Sequence, residues 1–373
     1  MAPRAAPHHP RRPRLRRGGA AGRHPRHGRR AEGGGGDRRM TAPTEFILLA
    51  GFLGSGKTSL LRDWLLLPEA ADTAVIVNEA GEIDVDGVIV AEGGNLPMAM
   101  LSNGCVCCSL TSDLVFTVRA LVEQRARSAA TPFRRIVLEC SGLSRPGPIL
   151  RSLLPLSPLG LSVRVVTTCD ASQAVQQARH FDEVAAQLAA ASTIVVTKPD
   201  LHDPAPAEAL AAAINPLALR VVESDRAARA RAAFSPPAAL VSAPEPPGTA
   251  HPRVAVLRAT FHEGASWEDR LDWLEDLAAF CGDRLLRVKG FLRRPGSPVP
   301  LLVQAVGTLF SAPTPVATEG VTEGLVLILR DITLPELRAG MASSPVRLST
   351  LRPGPALACG PVEAGCAAPF PAL

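Results

Sequence analysis

The chain has 373 residues and a formal charge of +5, but residues 1–39 hold 12 Arg against only Glu32 and Asp37, which leaves 28 basic and 33 acidic residues elsewhere. The remainder is therefore acidic, so the basic balance is no argument for a nucleic-acid partner, and the length suggests two domains. No run is long and apolar enough to span a bilayer, and eight cysteines without a secretory signal suggest a reducing, cytoplasmic setting with thiols free for metal or redox chemistry.

Residues 1–39 are Arg, Pro, Gly, Ala and His without apolar periodicity, so a disordered basic tail is expected, with Met40 a natural start. The first ordered unit is Glu45-Phe-Ile-Leu-Leu-Ala50, an apolar run of strand length. It leads into Gly51-Phe-Leu-Gly54-Ser55-Gly56-Lys57-Thr58, which fits the phosphate-loop pattern G-x-x-x-x-G-K-[ST] at every fixed position. Helical apolar spacing follows to Leu67 and stops at Pro68. In such a setting the backbone N–H groups curl around phosphate oxygens, Lys57 reaches the β- and γ-phosphates, and the Thr58 hydroxyl ligates Mg2+. A nucleoside triphosphate is the expected ligand.

A second strand, 74–77, precedes Asn78-Glu79-Ala-Gly81-Glu82-Ile-Asp84-Val-Asp86-Gly87, an acidic loop suited to sensing a γ-phosphate. Next comes Gly104-Cys105-Val-Cys107-Cys108, where three thiols in four residues make a soft-metal cluster. No second C-x-x-C pair completes a closed zinc shell, so the site is open, as suits a metal that must leave. Residues 111–127 read as a helix and 135–138 as a strand ending at Glu139-Cys-Ser-Gly142, the place for an acid that orients magnesium and a glycine N–H that meets the γ-phosphate. Further along, 163–166 and 193–196 read as strands, and 171–191 and 205–214 as helices.

The strand at 193–196 ends in Thr197-Lys198-Pro-Asp200, which resembles the guanine-reading N/T-K-x-D motif. A carboxylate there accepts from guanine N1–H and the exocyclic amine, a donor pair that adenine lacks. Near-continuous apolar strands separated by helices imply an α/β fold, a mostly parallel sheet flanked by helices. Residues 226–250 are Ala/Pro-rich and read as a linker, 251–335 as a small α+β domain, and 336–373 as a loose tail. The chain has 37 Arg but only three Lys, at 57, 198 and 289; two of these fall in nucleotide motifs, and a Lys kept where Arg serves nearly every other basic position suggests a need for a compact ammonium there.

These segments together resemble the CobW family of P-loop GTPases, which act in metal homeostasis and are similar to the urease and hydrogenase maturation GTPases. The resemblance covers roughly residues 45–335, carried by the phosphate loop, the Asn78–Gly87 loop, Gly104–Cys108, Glu139–Gly142, Thr197–Asp200, and Arg287-Val-Lys289-Gly290 with Gln304. Two departures stand out: Ala80 replaces the usual Phe, and the 226–250 linker lacks the His-rich stretch of many members.

The resemblance implies a P-loop NTPase domain over 40–225 and a CobW C-terminal-like domain over 251–335. It implies GTP binding by Gly51, Gly54, Ser55, Gly56, Lys57, Thr58, Ser59, Glu79, Thr197, Lys198 and Asp200, with Lys57, Glu139 and Gly142 supporting hydrolysis. Mg2+ would sit on Thr58, and Zn2+ (or Co2+) on Cys105, Cys107 and Cys108. The implied activity is a GTP-hydrolysing metallochaperone that delivers its metal to a client protein, with neither nucleic acid nor membrane as partner. The oligomeric state, a homodimer included, stays open. Two alternatives stand beside it: a P-loop ATPase or kinase with structural cysteines, and a metal-sensing or storage module that does not hydrolyse nucleotide.

Overall fold

The computed structural model describes residues 43–77, 98–100, 109–128, 130–235, 251–316, 321–341 and 345–351. In chain order the first half contains β1 (Glu45–Gly51), α1 (Lys57–Leu65), β2 (Thr73–Val77), β3 (Met98–Met100), α2 (Ser109–Arg127), β4 (Arg135–Glu139) and α3 (Pro146–Ser152). It continues with β5 (Ser162–Asp170), α4 (Ala174–His180), α5 (Asp182–Ala190), β6 (Thr193–Thr197), α6 (Ala205–Ile214), β7 (Leu219–Val221) and α7 (Arg226–Phe234). The seven strands lie in the order β3-β2-β4-β1-β5-β6-β7, and every pairing is parallel.

Helices cover both faces, which is why the strands read as unbroken apolar runs. Along β1, Phe46, Leu48 and Ala50 pack with Leu114 and Val118 of α2 on one face. Ile47 and Leu49 pack with Leu60, Leu61 and Trp64 of α1 on the other. The chain leaves β1 to one side and returns from β4 to β5 across it, so the strand order reverses around β1. In open α/β sheets the ligand crevice lies at that reversal, beyond the carboxyl ends of the strands.

The second half contains β8 (Val254–Phe261), α8 (Trp267–Cys281), β9 (Leu285–Arg293), β10 (Pro300–Val306), β11 (Leu309–Phe310), β12 (Thr314–Pro315), β13 (Gly324–Arg330), α9 (Leu334–Gly340) and β14 (Val346–Thr350). They form an antiparallel sheet in the order β11-β10-β9-β13-β8-β14, with β12 on β10. One face is closed by α8, which starts with a reciprocal Ser266–Asp269 capping box and buries Trp273, Leu274 and Leu277 against Val288, Leu292, Val303 and Leu327. The opposite face meets the parallel domain, where Val254, Leu286 and Ile328 share one cluster with Leu188 and Ala211. The expected α/β domain followed by an α+β domain is therefore present. Among the described residues no helix is long and apolar enough to cross a membrane.

Several boundaries differ from the sequence reading. Residues 226–234, read as the start of a linker, form α7, capped by Asp225 accepting from Ala228 N. Arg and Ala dilute its apolar signal, yet Ala230, Ala233 and Phe234 are buried, and Phe234 stacks on Trp64 with ring centroids 5.0 Å apart. The tail from 336 is not loose at first: α9 is closed by a Thr333–Glu336 capping box, and β14 pairs with β8. The single helix expected over 171–191 is broken at Phe181, whose backbone is extended and whose ring packs 4.8 Å from Phe52. Strand β5 runs on to Asp170 because Thr167 and Thr168 are buried despite their hydroxyls.

Candidate functional site

The phosphate loop turns sharply at three glycines in positive φ: Gly51 at 144°, Gly54 at 70° and Gly56 at 87°. A Cβ at Gly51 would also collide with the Thr168 hydroxyl, so this position needs glycine for both conformation and space. Gly56 is the N-cap of α1, which leaves the first N–H groups of the helix directed into the loop. Ser55 N donates to Phe52 O at 3.1 Å, and the Ser55 and Thr168 hydroxyls share a 2.7 Å hydrogen bond. Lys57 is buried, and its ammonium donates to Gly51 O at 3.0 Å and Phe52 O at 3.2 Å. Ser59, one residue beyond Thr58, is exposed on the first turn of α1.

Glu139 closes β4 beside this loop. The Thr58 hydroxyl donates to Glu139 Oε1, so the two oxygen groups expected around Mg2+ are already in contact. Both are hard oxygen donors, a set that fits Mg2+. Three residues on, Gly142 presses against the loop: a Cβ there would lie 2.7 Å from Leu53 N. The glycine is therefore required for close approach of the two backbones.

The base-reading segment reaches the same loop from β6. Thr197 Oγ1 donates to Ser55 O at 2.8 Å. Lys198 has φ 57°, and its ammonium bridges Gly54 O at 3.0 Å and Asp170 Oδ2 at 2.6 Å. Asp200 is exposed, two residues beyond Lys198. Gly51–Thr58, Glu139, Gly142, Thr197 and Lys198 thus converge at the carboxyl ends of β1, β4 and β6. Glu79 and the Asn78–Gly87 loop, and Cys105, Cys107 and Cys108, lie outside the described residues.

Three described residues extend the site beyond the motifs. Asp170 is 2% exposed; burial would raise its carboxyl, but hydrogen bonds from Lys198 and from Ser172 outweigh that and hold it below its ordinary value. Thr168 supports Ser55, and Gln187 of α5 donates to Gly142 O and Ser144 O, both at 2.9 Å. None carries a motif. The available signal was a Thr-Thr-Cys-Asp strand end and a Gln on the buried face of a helix.

Cys140, Cys169 and Cys281 are free and buried. Burial pushes the Cys169 thiol up to about 12 and Cys281 to about 11, and raises Cys140 further. Burial thus keeps these three thiols protonated and away from solvent at neutral pH. Among the described residues no group of three His, Cys, Asp or Glu could hold a metal ion.

A family model described as the CobW/HypB/UreG nucleotide-binding domain matches residues 45–221, and one described as the cobalamin synthesis protein CobW C-terminal domain matches residues 255–344. The chain is 31% identical over 285 residues to the zinc chaperone YjiA of Escherichia coli, covering 72% of this chain and 88% of that protein. It is 31% identical over 309 residues to the zinc chaperone CobW of Pseudomonas aeruginosa, covering 70% and 80%. The crystal structure of the Zn(II)-bound YjiA GTPase from E. coli shares the fold, with a TM-score of 0.59 at 24% identity over 81% of this chain and 99% of that one.

Proposed function

The chain belongs to the CobW family of P-loop GTPases, and on that premise we propose that it is a zinc metallochaperone that loads a client protein under the control of GTP. The observation that carries the nucleotide half of this reading is the convergence of Lys57, the Thr58–Glu139 contact and Lys198 on one loop.

Each residue has a distinct task. The α1 N-terminus and Lys57 neutralise the β- and γ-phosphates. Thr58 and Glu139 would hold Mg2+, which would supply charge neutralisation for the triphosphate. The Gly142 N–H meets the γ-phosphate, Asp200 accepts from guanine N1–H and the amine, and the Lys198 stem lies along the base. Water attacks the γ-phosphorus, the bond to the β–γ bridging oxygen breaks, and GDP and inorganic phosphate result. No described side chain is placed as a general base, so slow intrinsic turnover is expected.

The metal half rests on Cys105, Cys107 and Cys108, supported by their place in the chain. They fall between Met100, the last residue of β3, and Ser109, the first of α2. Strand β3 is parallel to β2, and β2 to β4, so β3 leaves the sheet at the same edge as Glu139. The relatives named as zinc chaperones favour zinc as the cargo, and soft thiolates agree with that choice. A reducing, cytoplasmic setting suits the site, because the ligands must stay reduced. In this reading GTP favours metal holding, and hydrolysis favours release to the client.

The test is nucleotide selectivity. Wild type should bind and hydrolyse GTP in preference to ATP, and Asp200→Ala should weaken GTP at least about tenfold, the cost of losing hydrogen bonds to a charged group. Equal use of ATP and indifference to Asp200→Ala would replace this reading with that of a general ATPase.

A further inference from the structure

We propose that Gln187 is a positioning residue for the turn that faces the γ-phosphate, and that α5 makes this turn answer to the C-terminal sheet. The proposal rests on the GTPase reading above, in which Gly142 meets the γ-phosphate.

Gln187 is 1% exposed, and its amide nitrogen donates to Gly142 O and to Ser144 O, both at 2.9 Å. Both partners are carbonyls, so only the NH2 group can serve them and both of its protons are used. The turn is also closed internally by Ser144 N donating to Ser141 O at 3.0 Å. The Gln187 amide therefore clamps the two carbonyls that set the orientation of the Gly142–Ser144 backbone. Arg145, the next residue, pairs with Glu183 of the same helix at 2.8 Å. Because Gly142 abuts Leu53 of the phosphate loop, a shift of α5 would move this turn relative to bound phosphate.

The far side of α5 is held by the antiparallel sheet. Asp182, at its start, takes Arg253 at 2.6 Å and Arg330 at 3.1 Å. At its end, Ala190 O accepts from the Arg287 guanidinium, which is 5% exposed and whose Nε has no hydrogen-bond partner among the described residues. A buried guanidinium is costly to maintain, and here it sits at the negative end of a helix. Leu188 packs with Leu286 and Ile328 in between. A helix of nine residues is thus pinned at both ends by the C-terminal sheet and grips the nucleotide-facing turn from its middle.

A turn drawn toward a γ-phosphate must take α5 with it or break both Gln187 hydrogen bonds, whereas GDP makes no such demand. The effect should therefore fall on the triphosphate state. Gln187→Leu keeps the volume and removes both donors, and should weaken a non-hydrolysable GTP analogue about tenfold while changing GDP affinity less than about threefold. Asp182→Asn, on the half-exposed helix start, removes the charge that both arginines pair with, leaves the turn untouched, and should shift the same affinity ratio about threefold. Parallel losses of analogue and GDP in Gln187→Leu, or an unchanged ratio, would overturn the positioning role. A shifted ratio in Gln187→Leu with none in Asp182→Asn would overturn the link to the C-terminal sheet. Failure of the GTPase reading would show differently, as wild type that does not prefer GTP over ATP.

Discussion

Asp170 shows how much of the site rests on residues that bind no ligand. It orients Lys198, and its carboxyl lies below the ordinary value of 3.8. A depressed carboxyl contributes stability above the unfolded pKa and loses it as pH falls through the folded one. Wild type should therefore lose Tm between about pH 4 and the lower folded pKa, and Asp170→Asn should be less stable near neutrality and lack that part of the acid transition. A pH series of thermal melts checks this; identical profiles would mean the Lys198 pair adds nothing. The thiols give a second residue-scale prediction. Cys140, Cys169 and Cys281 should resist iodoacetamide at pH 7.5 in the native protein and react only on unfolding. Mass spectrometry would locate the modified sites. Lys57, Thr58 and Lys198 were legible in the sequence because each sits at a fixed offset in a short motif. Asp170 and Gln187 were not, since their roles arise from contacts 28 and 45 residues away along the chain.

At the scale of elements, hydrophobic periodicity identified the central strands well, because β1, β4 and β6 are buried on both faces. It failed where burial is achieved by small or polar side chains. Helix α7 buries alanines and one aromatic ring, so composition made it look like a linker. Its role is testable: Phe234→Ala, which removes the ring stacked on Trp64, should cost about 3–5 kcal/mol in urea unfolding. A change below about 1 kcal/mol would return residues 226–234 to the linker they resembled. The short strands β3 and β7, of three residues each, offer too little sequence for a pattern and are defined by their pairing to β2 and β6. The break at Phe181 is likewise tertiary, since the ring leaves the helical path to pack on Phe52 of the phosphate loop.

At the scale of the molecule, a nucleotide site at the reversal of a parallel sheet is joined through α5 to a second, antiparallel sheet. Along the chain, the cysteine motif follows a strand whose carboxyl end lies on the same side of the first sheet as that of β4. The proposed function requires that nucleotide state set metal affinity at this motif. The direct test is a competition titration of zinc in Mg-GDP and then in a non-hydrolysable GTP analogue, on wild type and on Cys107→Ser/Cys108→Ser. The analogue should tighten wild-type binding at least tenfold, about 1.4 kcal/mol of coupling, and the double variant should lose this gain. Equal zinc affinity in both nucleotide states would contradict it, leaving a GTPase with an uncoupled thiol site.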